Sequence, residues 1–402
     1  MHILLAHNYY QLPGGEDELL EGTRKLLTDN GHSVTEYVRH NEEIANYGLI
    51  RTASLVARTT WAVDTKREIT NILKEVKPDI AHFGNTFPLI SPSVYYACQR
   101  AGVPVLQSLD NPRLICPAST FFRAGKECHE CEGRLPLAAI RHSCYRDSAA
   151  QSSVLVTMLG VHRALRTWSR KVDGYLVATE FYLRRFVKAG LPEDRMHLRP
   201  LFVADPGFSA WREGDYALFM GRLSVEKGLR TVLEAWRELD IPLKIRGTGP
   251  LETEVRDLIA TNPQVQLLPR LTSEQKIDLI RGARFLIWPT PGEYETFGLV
   301  VAEAYSCGVP VVAAKVGVAT EMVNEGQTGM FFEPNNADDL IRKVRWAWEH
   351  PDQMRAMGSI GRRDYERRFN PAHAYRLLMA AYNSAKAVRR GVGNFSLNES
   401  QS

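Results

Sequence analysis

Glu295-Thr-Phe-Gly-Leu-Val-Val-Ala-Glu303 sets two carboxylates at E-x7-E spacing, across a loop and the first turns of a predicted helix. At about 3.6 residues per turn, this spacing advances an ideal helix by slightly over two turns, so Glu303 is expected on a face that points back toward Glu295. Between them, Thr296, Phe297, Gly298 and Leu299 would present free backbone N–H groups at the helix start. Those donors and the helix dipole favour an anion, and Gly298 removes the side chain that would keep a phosphate at a distance. One carboxylate can then take hydroxyls of a sugar and the other those of a ribose. Alone, the pair reads as solvated surface charge.

A second stretch changes the balance. Phe219-Met-Gly-Arg-Leu-Ser-Val-Glu-Lys-Gly228 predicts a buried strand from Tyr216 to Met220, a glycine turn and the start of a helix, with Arg222 and Lys227 flanking the turn. A planar guanidinium and a point ammonium there can hold a diphosphate and neutralise it as it departs. Lys244-Ile-Arg-Gly-Thr-Gly-Pro250 adds a strand with a glycine loop at Gly247 and Gly249. Arg284-Phe-Leu-Ile-Trp-Pro289 adds the strand feeding the Glu295 loop, and Cys307-Gly-Val-Pro-Val-Val-Ala313 a turn and strand after the helix.

In this order the motifs resemble the donor-binding half of glycosyltransferase family 4, retaining enzymes of the GT-B fold. The resemblance extends to about Ala387 and is most specific between Gly221 and Glu321. It implies an α/β chain of two Rossmann-like, doubly wound parallel-sheet domains facing a central cleft. The acceptor-side domain would span 1–203, with a Cys-rich loop at 110–147, and the nucleotide-sugar domain 204–369. A terminal helix at 370–390 would cross back to the first domain, and the polar tail 391–402 reads as disordered. The connector falls near Leu201 to Glu213.

Composition agrees. At 402 residues and 44% apolar, the chain can form two α/β cores. No run of about 18 apolar residues spans a bilayer and no basic-apolar leader follows Met1, which predicts a cytoplasmic protein. A net charge of +4 does not suggest nucleic-acid binding.

In the first half, the apolar strand His2–Ala6 precedes Asn8-Tyr-Tyr-Gln-Leu-Pro-Gly-Gly-Glu16 and a helix to about Asn30. Gly14 and Gly15 are ordinary turn residues or, by the resemblance, the backbone facing the donor diphosphate and sugar. Pro78–His82 is a further strand with His82 at its carboxyl end, where open α/β sheets place ligands; a structural histidine is equally open. Pro104–Leu109 is the next strand, followed by Asp110-Asn-Pro-Arg-Leu-Ile-Cys-Pro117. Many members of the family carry a histidine where this chain has Asp110. The carboxylate can contact a sugar hydroxyl or orient the acceptor, though it would repel the donor phosphates; the bland alternative is a loop cap.

Cys116, Cys128, Cys131 and Cys144 follow C-x11-C-x2-C-x12-C spacing, with His129 and His142 as substitute ligands. Either a structural zinc or four reduced thiols fits this pattern. Val154, Met158, Val161, Leu165 and Trp168 recur at helical steps and predict one apolar face. From Leu135 to Lys171, Arg141, Arg146, Arg163, Arg166, Arg170 and Lys171 oppose Asp147 alone. Such a helix rests on an anionic membrane or is a core helix with a solvated face.

The resemblance implies a retaining, hexosyl-type transferase using a nucleoside diphosphate sugar, UDP or GDP, without an essential metal. It would act on a saccharide or lipid-linked saccharide in bacterial polysaccharide or glycan assembly, at the inner face of a membrane. Arg222 and Lys227 would stabilise the leaving diphosphate, helped by amides at Thr296, Phe297, Gly298 and Leu299. Glu295 would position the sugar and Glu303 the ribose, while Asp110 and His82 complete the expected catalytic set. The alternatives are a glycoside phosphorylase of the same fold, or a silent sugar-nucleotide sensor or scaffold.

Overall fold

A computed structural model describes residues 1–11, 15–46, 55–207 and 214–391. Gly14, the end of the connector and all but the first residue of the tail lie outside the described residues. The chain divides into two compact units: one holds 1–119, 129–199 and the chain from Tyr375 on, the other 120–128 and 200–374.

In the first unit, β1 (His2–Tyr9), β2 (Ser33–His40), β3 (Ile80–Phe83) and β4 (Val105–Ser108) belong to a six-stranded parallel sheet. A two-stranded antiparallel hairpin, β5 (Phe122–Arg123) and β6 (Lys126–Glu127), interrupts the chain and belongs to the second unit. β7 (Gly174–Val177) and β8 (Met196–Leu198) complete the sheet, in the order β2-β1-β3-β4-β7-β8. Ile3, Leu4, Leu5 and Ala6 are fully buried in succession. An unbroken apolar run of this kind is what a parallel strand covered on both faces requires.

The second unit repeats the plan. β9 (Tyr216–Met220), β10 (Leu243–Arg246), β11 (Val265–Leu268), β12 (Ala283–Trp288), β13 (Val311–Ala314) and β14 (Gly329–Phe332) lie parallel in the order β11-β10-β9-β12-β13-β14. The first three strands wind one way from β9 and the last three the other. β9 and β12 therefore flank a topological switch point, where both neighbouring crossovers leave a crevice at the carboxyl ends of the strands.

The helix Pro371–Arg390 joins the first unit from Tyr375 on. There Tyr382 OH bonds His82 Nδ1 (2.9 Å) and Arg389 Nη2 donates to Asp173 (2.9 Å). Within the second unit, Arg362 donates to both oxygens of Asp205 (2.9 and 2.8 Å) and to the Ser306 carbonyl (2.6 Å), tying the chain after the first sheet to the helix Leu299–Ser306.

The predicted apolar stripe is corrected. The helix Ala149–Ala164 buries Ser152, Leu155, Val156, Met158, Leu159 and His162, whereas Val161 and Leu165 are 37% and 48% exposed. The helix ends before Trp168, because Arg166 takes a left-handed φ of 52° and a separate turn, Thr167–Arg170, begins. Leu155 and Leu159 offered a second face that the four-three periodicity did not separate from the first.

Two glycines let the helix Pro351–Arg368 sit against the helix Leu299–Ser306. A Cβ on Gly358 would stand 2.0 Å from the Gly308 carbonyl oxygen, and one on Gly361 would stand 2.7 Å from Tyr305 Cδ1. Replacing a helical glycine by alanine normally gains up to about 1 kcal/mol. Here the clash with backbone outweighs that gain, so Gly358→Ala is expected to destabilise by about 1–3 kcal/mol. Urea unfolding should show a lower midpoint with an unchanged slope; an unchanged or higher midpoint would refute this packing.

Candidate functional site

The donor-side residues predicted from sequence converge at the β9/β12 switch point of the second unit. Three close approaches build it. A Cβ on Gly228, whose φ is 73°, would meet the Pro289 carbonyl oxygen at 1.9 Å, so the turn after β9 is pressed onto the chain leaving β12. A Cβ on Gly247 would meet the Gly221 carbonyl oxygen at 1.8 Å, which draws the loop after β10 onto the same turn. Gly298, at φ 93°, lies over the Trp288 ring, where a Cβ would be 2.5 Å from Cη2. Gly249 in turn packs against the Leu223 backbone.

This packing brings the Lys227 ammonium onto the Glu295 carboxylate and, at 4.6 Å, over the Tyr294 ring. Burial disfavours the Lys227 charge, but Glu295 and Tyr294 more than offset it and its pKa is raised. Glu303 stands one turn into the helix Leu299–Ser306, which begins later than the sequence suggested, and accepts from Lys276 Nζ (2.7 Å). Lys276 was missed by the sequence reading. It rides on the helix Ser273–Arg281, which Thr272 and Gln275 start with reciprocal capping bonds of 3.2 and 3.0 Å. Arg222 is exposed on the turn, Phe297 is buried, and both glutamates are partly covered. In the second unit, Glu127 of the β5–β6 hairpin accepts from the Glu293 backbone N–H (3.0 Å), bracing the loop before Glu295.

The first unit has its own switch point, between β1 and β3. The His7 ring lies against Gly84, where a Cβ would be 2.5 Å from Nδ1. The Asn85 N–H donates to His7 Nδ1 (3.1 Å), which leaves Nε2 as the protonated nitrogen facing Asp17 Oδ1 at 3.0 Å. Beside this buried pair opens a narrow cavity lined by Glu16, Asn85, Phe87, Tyr95, Asp110, Arg113 and Trp168 among others. A smaller space lies under His7, His82, Ser108 and Arg199, and shares Glu16 and Asp110 with the first.

Asp110 is thus brought to a cavity wall. Burial, reinforced by Glu16 and opposed by Arg199 and His7, pushes its carboxyl up to about 6. Glu16 accepts from Tyr10 OH (3.0 Å) and Asn111 Nδ2 (2.8 Å), and the turn after Asp110 is closed by Asn111, whose Oδ1 accepts from the Arg113 N–H (2.9 Å). Arg113 stacks on Phe87 and Tyr145 at 5.0 and 5.7 Å. Arg199 is 4% exposed, and burial lowers its pKa.

His82 reads differently from its expected catalytic role. Both ring nitrogens are bonded, Nδ1 to Tyr382 OH and Nε2 to Ser108 Oγ, each at 2.9 Å. Burial drives its pKa down to about 3, so it is a neutral strut between β3, β4 and the terminal helix. Gly15 opens the helix Gly15–Asp29 with nothing within 4 Å of where its Cβ would be, so no close approach requires glycine there. His7, Glu16, Asp17, Arg113 and Arg199 were not singled out from sequence. Glu16 follows the quoted Gly-Gly pair and Arg113 lies in the Asp110 stretch, so proximity to motifs was the only available signal.

The cysteines do not assemble. No disulfide links the six cysteines, and among the described residues no three His, Cys, Asp or Glu side chains are grouped to hold a metal ion. His129 stands 3.0 Å from Arg185 Nη2, and His142 pairs with Glu130 at 3.2 Å. The predicted zinc ligand set of Cys116, Cys128, Cys131 and Cys144 does not fit a metal here.

Residues 208–364 match the family described as Glycosyl transferases group 1. That segment is similar to the group 1 glycosyl transferases. It contains every donor-side residue above, from Arg222 to Glu303. The chain is 31% identical over 165 residues to the D-rhamnosyltransferase WbpZ of Pseudomonas aeruginosa, across 40% of this chain and 43% of that protein. It is 29% identical over 169 residues to the O-antigen chain mannosyltransferase C of Escherichia coli, across 40% and 46%. The chain thus spans less than half the length of these relatives. Anabaena HepE, solved in complex with UDP, shares a TM-score of 0.65 at 16% identity over 96% of this chain and 100% of that one. A sucrose-phosphate synthase from Thermosynechococcus elongatus shares a TM-score of 0.67 at 16% identity, over 96% and 99%. At these identities the likeness is one of fold, the GT-B fold.

Asp110 lies outside the group 1 segment and offers a direct test of its cavity wall. The folded carboxyl keeps its proton to about pH 6, whereas the unfolded chain releases it near 3.8. Burial therefore costs stability progressively as pH rises between those values, and the cost persists above them. Asp110→Asn removes it, so the variant should exceed the parent by about 1–3 kcal/mol at pH 8 and by much less at pH 4. Urea unfolding at both pH values checks this; equal stability at pH 8 would contradict a buried Asp110 carboxylate.

Proposed function

We propose that the protein is a retaining glycosyltransferase that moves a sugar from a nucleoside diphosphate sugar to a hydroxyl of a saccharide or lipid-linked saccharide. The observation that carries this reading is the Lys227–Glu295 pair held at a glycine-built switch point, with Glu303 and Arg222 around it. An arriving diphosphate competes with Glu295 for the Lys227 ammonium. Once the lysine turns to phosphate, Glu295 is released to take sugar hydroxyls, and Glu303, exchanging Lys276 for the ligand, takes those of the ribose.

In the proposed chemistry the acceptor oxygen approaches the anomeric carbon on the face the phosphate leaves. The C–O bond to the diphosphate breaks, the new glycosidic bond forms, and the acceptor proton passes to the departing phosphate oxygen. Arg222 and Lys227 stabilise the negative charge that accumulates on that leaving group, together with the amides of Phe297 to Leu299. The first unit's cavity suits an acceptor: Phe87, Tyr95 and Trp168 supply apolar ring surface, while Glu16, Asn85 and Asp110 supply hydrogen-bonding groups. Asp110, titrating near neutrality, is placed to accept from or donate to an acceptor hydroxyl. UDP and GDP are the favoured bases, given the UDP carried by the HepE structure and a GDP-mannose-dependent alpha-mannosyltransferase of Corynebacterium glutamicum, 25% identical over 267 residues. We place the reaction in polysaccharide or glycan assembly at the cytoplasmic face of a membrane.

A thermal-shift panel of UDP-, GDP- and ADP-sugars should single out one donor, which at a hundred times its dissociation constant adds about 2.7 kcal/mol of stability. With that donor, Arg222→Ala and Lys227→Ala should each lower turnover by about 10²–10³, the loss of one preorganised contact worth roughly 3–4 kcal/mol. Asp110→Asn should lower transfer while leaving the donor dissociation constant within about twofold, because the diphosphate grip lies elsewhere. Turnover within twofold of the parent in both cation variants would defeat the assignment.

A further inference from the structure

The charged groups around the first unit's cavity are unevenly matched. Two of its carboxylates are occupied by the fold: Glu16 accepts from Tyr10 OH on Oε2 (3.0 Å) and from Asn111 Nδ2 on Oε1 (2.8 Å), and Asp17 faces the protonated Nε2 of His7 at 3.0 Å. The two guanidiniums lack such partners. Arg199 is nearly fully buried, yet its Nε and Nη1 carry no hydrogen bond. Burial lowers its pKa, opposed by the field of Asp110. Arg113 Nε and Nη1 are buried and unbonded as well, and among the described residues neither arginine forms an ion pair within 4 Å.

Arg113 is held in place without being satisfied. Its guanidinium lies over the Phe87 and Tyr145 rings at 5.0 and 5.7 Å, its backbone N–H donates to Asn111 Oδ1 (2.9 Å), and Nη2 donates to Tyr10 OH (3.2 Å). A guanidinium fixed in its plane with donors to spare is preorganised for a planar oxyanion. Arg199 follows β8, its N–H bonded to the Val177 carbonyl at the end of β7 (2.8 Å), so it stands at the carboxyl edge of the sheet, as does Arg113 on the turn after β4. The larger cavity takes in Arg113 and the smaller space Arg199, and the two share Glu16, Gly84, Ser108 and Asp110 as walls.

An unpaired buried charge is destabilising, and a site that keeps two of them is arranged for a ligand of opposite charge. The carboxyls on the same walls limit how much charge that ligand can bring. Glu16 already disfavours a further anion there, whereas Asp110, whose carboxyl is pushed up to about 6, takes up a proton when one approaches. One added negative charge is thus admitted and two are opposed. A carboxylate meets this condition; a phosphate ester, at about −1.5 to −2 near neutral pH, does not. A neutral saccharide would leave both guanidiniums unpaired. Phe87, Tyr95 and Trp168, in the same cavity, offer ring surface to the carbon face of a pyranose.

We propose that the first unit's cavity binds a saccharide carrying one carboxylate, a uronic acid residue, with Arg113 and Arg199 supplying the N–H donors and the positive charge that hold it. That this saccharide is the acceptor rests on the glycosyltransferase reading; its binding does not.

The test is isothermal titration of the full chain, without donor, with the methyl glycosides of glucuronic, galacturonic and mannuronic acid, each beside its neutral hexoside and that hexoside's 6-phosphate. At least one uronide should bind about tenfold or more tightly than its neutral counterpart, the scale of one charge-assisted pair, and more tightly than the phosphate. This comparison is made in the parent and needs no variant. Arg113→Gln and Arg199→Gln should each bring the uronide-to-hexoside ratio to within about twofold of unity, and since damage to the fold weakens both ligands alike, the ratio isolates the charge. Parent protein that prefers no uronide over its hexoside, or that prefers the 6-phosphates, would overturn the proposal. So would a ratio unchanged in both variants. Donor-induced thermal shift of the parent reports separately on the second unit: its absence would count against the glycosyltransferase reading and leave the carboxylate site standing.

Discussion

The contact between Gly228 and the Pro289 carbonyl is the constraint on which the second unit's site depends. Any side chain at 228 would place a carbon 1.9 Å from that oxygen, so the turn after β9 and the chain leaving β12 approach this closely only through glycine. Their approach sets Lys227 on Glu295, although the two lie 68 residues apart. Gly247 against Gly221 and Gly298 over Trp288 repeat the device at the other two walls. With three walls made of backbone, the proposed donor diphosphate would meet N–H groups and two cations rather than side-chain bulk.

That construction explains why this half was readable from the chain. Each wall is a short run in which glycines, a strand and a helix start occur within about a dozen residues, so spacing carries the geometry. The register of the two sheets follows from apolar runs such as Ile3–Ala6 and Tyr216–Met220, for the same local reason. Lys276 shows the limit. It reaches Glu303 from a helix that precedes β12, and nothing near it in the chain marks it as different from any helical lysine.

The first unit was legible as a fold but not as a site, because its cavity is assembled from side chains that follow β1, β3 and β4 and from Arg199 after β8. His82 is the instructive case. Its position at the carboxyl end of a parallel strand is where ligands bind, yet Tyr382, 300 residues away, takes one ring nitrogen and Ser108 the other. A histidine whose two nitrogens are bonded inside the protein holds structure, and only the terminal helix reveals it. The stripe through Val154 and Trp168 failed for a related reason. A helix apolar most of the way around leaves the choice of inward face to its neighbours, and His162, bonding both Thr167 and the Thr60 carbonyl, fixes it.

The two units handle charge in opposite ways. In the second, Lys227 is matched to Glu295 and Lys276 to Glu303, so on the proposed reading a ligand exchanges partners with both pairs. Exchange costs little when one anion replaces another, and under the proposed function it would free two carboxylates for hydroxyls. In the first unit, burial dominates instead: Asp110 and Glu16 share two cavities, His7 directs its proton to Asp17, and Arg199 is held back by desolvation. A carboxyl held near neutrality by its surroundings gains or loses a proton with small changes nearby, which suits contact with a neutral hydroxyl and not with a phosphate. Burial and Glu16 disfavour the Asp110 charge while Arg199 and His7 favour it, so the residues packed around this carboxyl act on it in both directions.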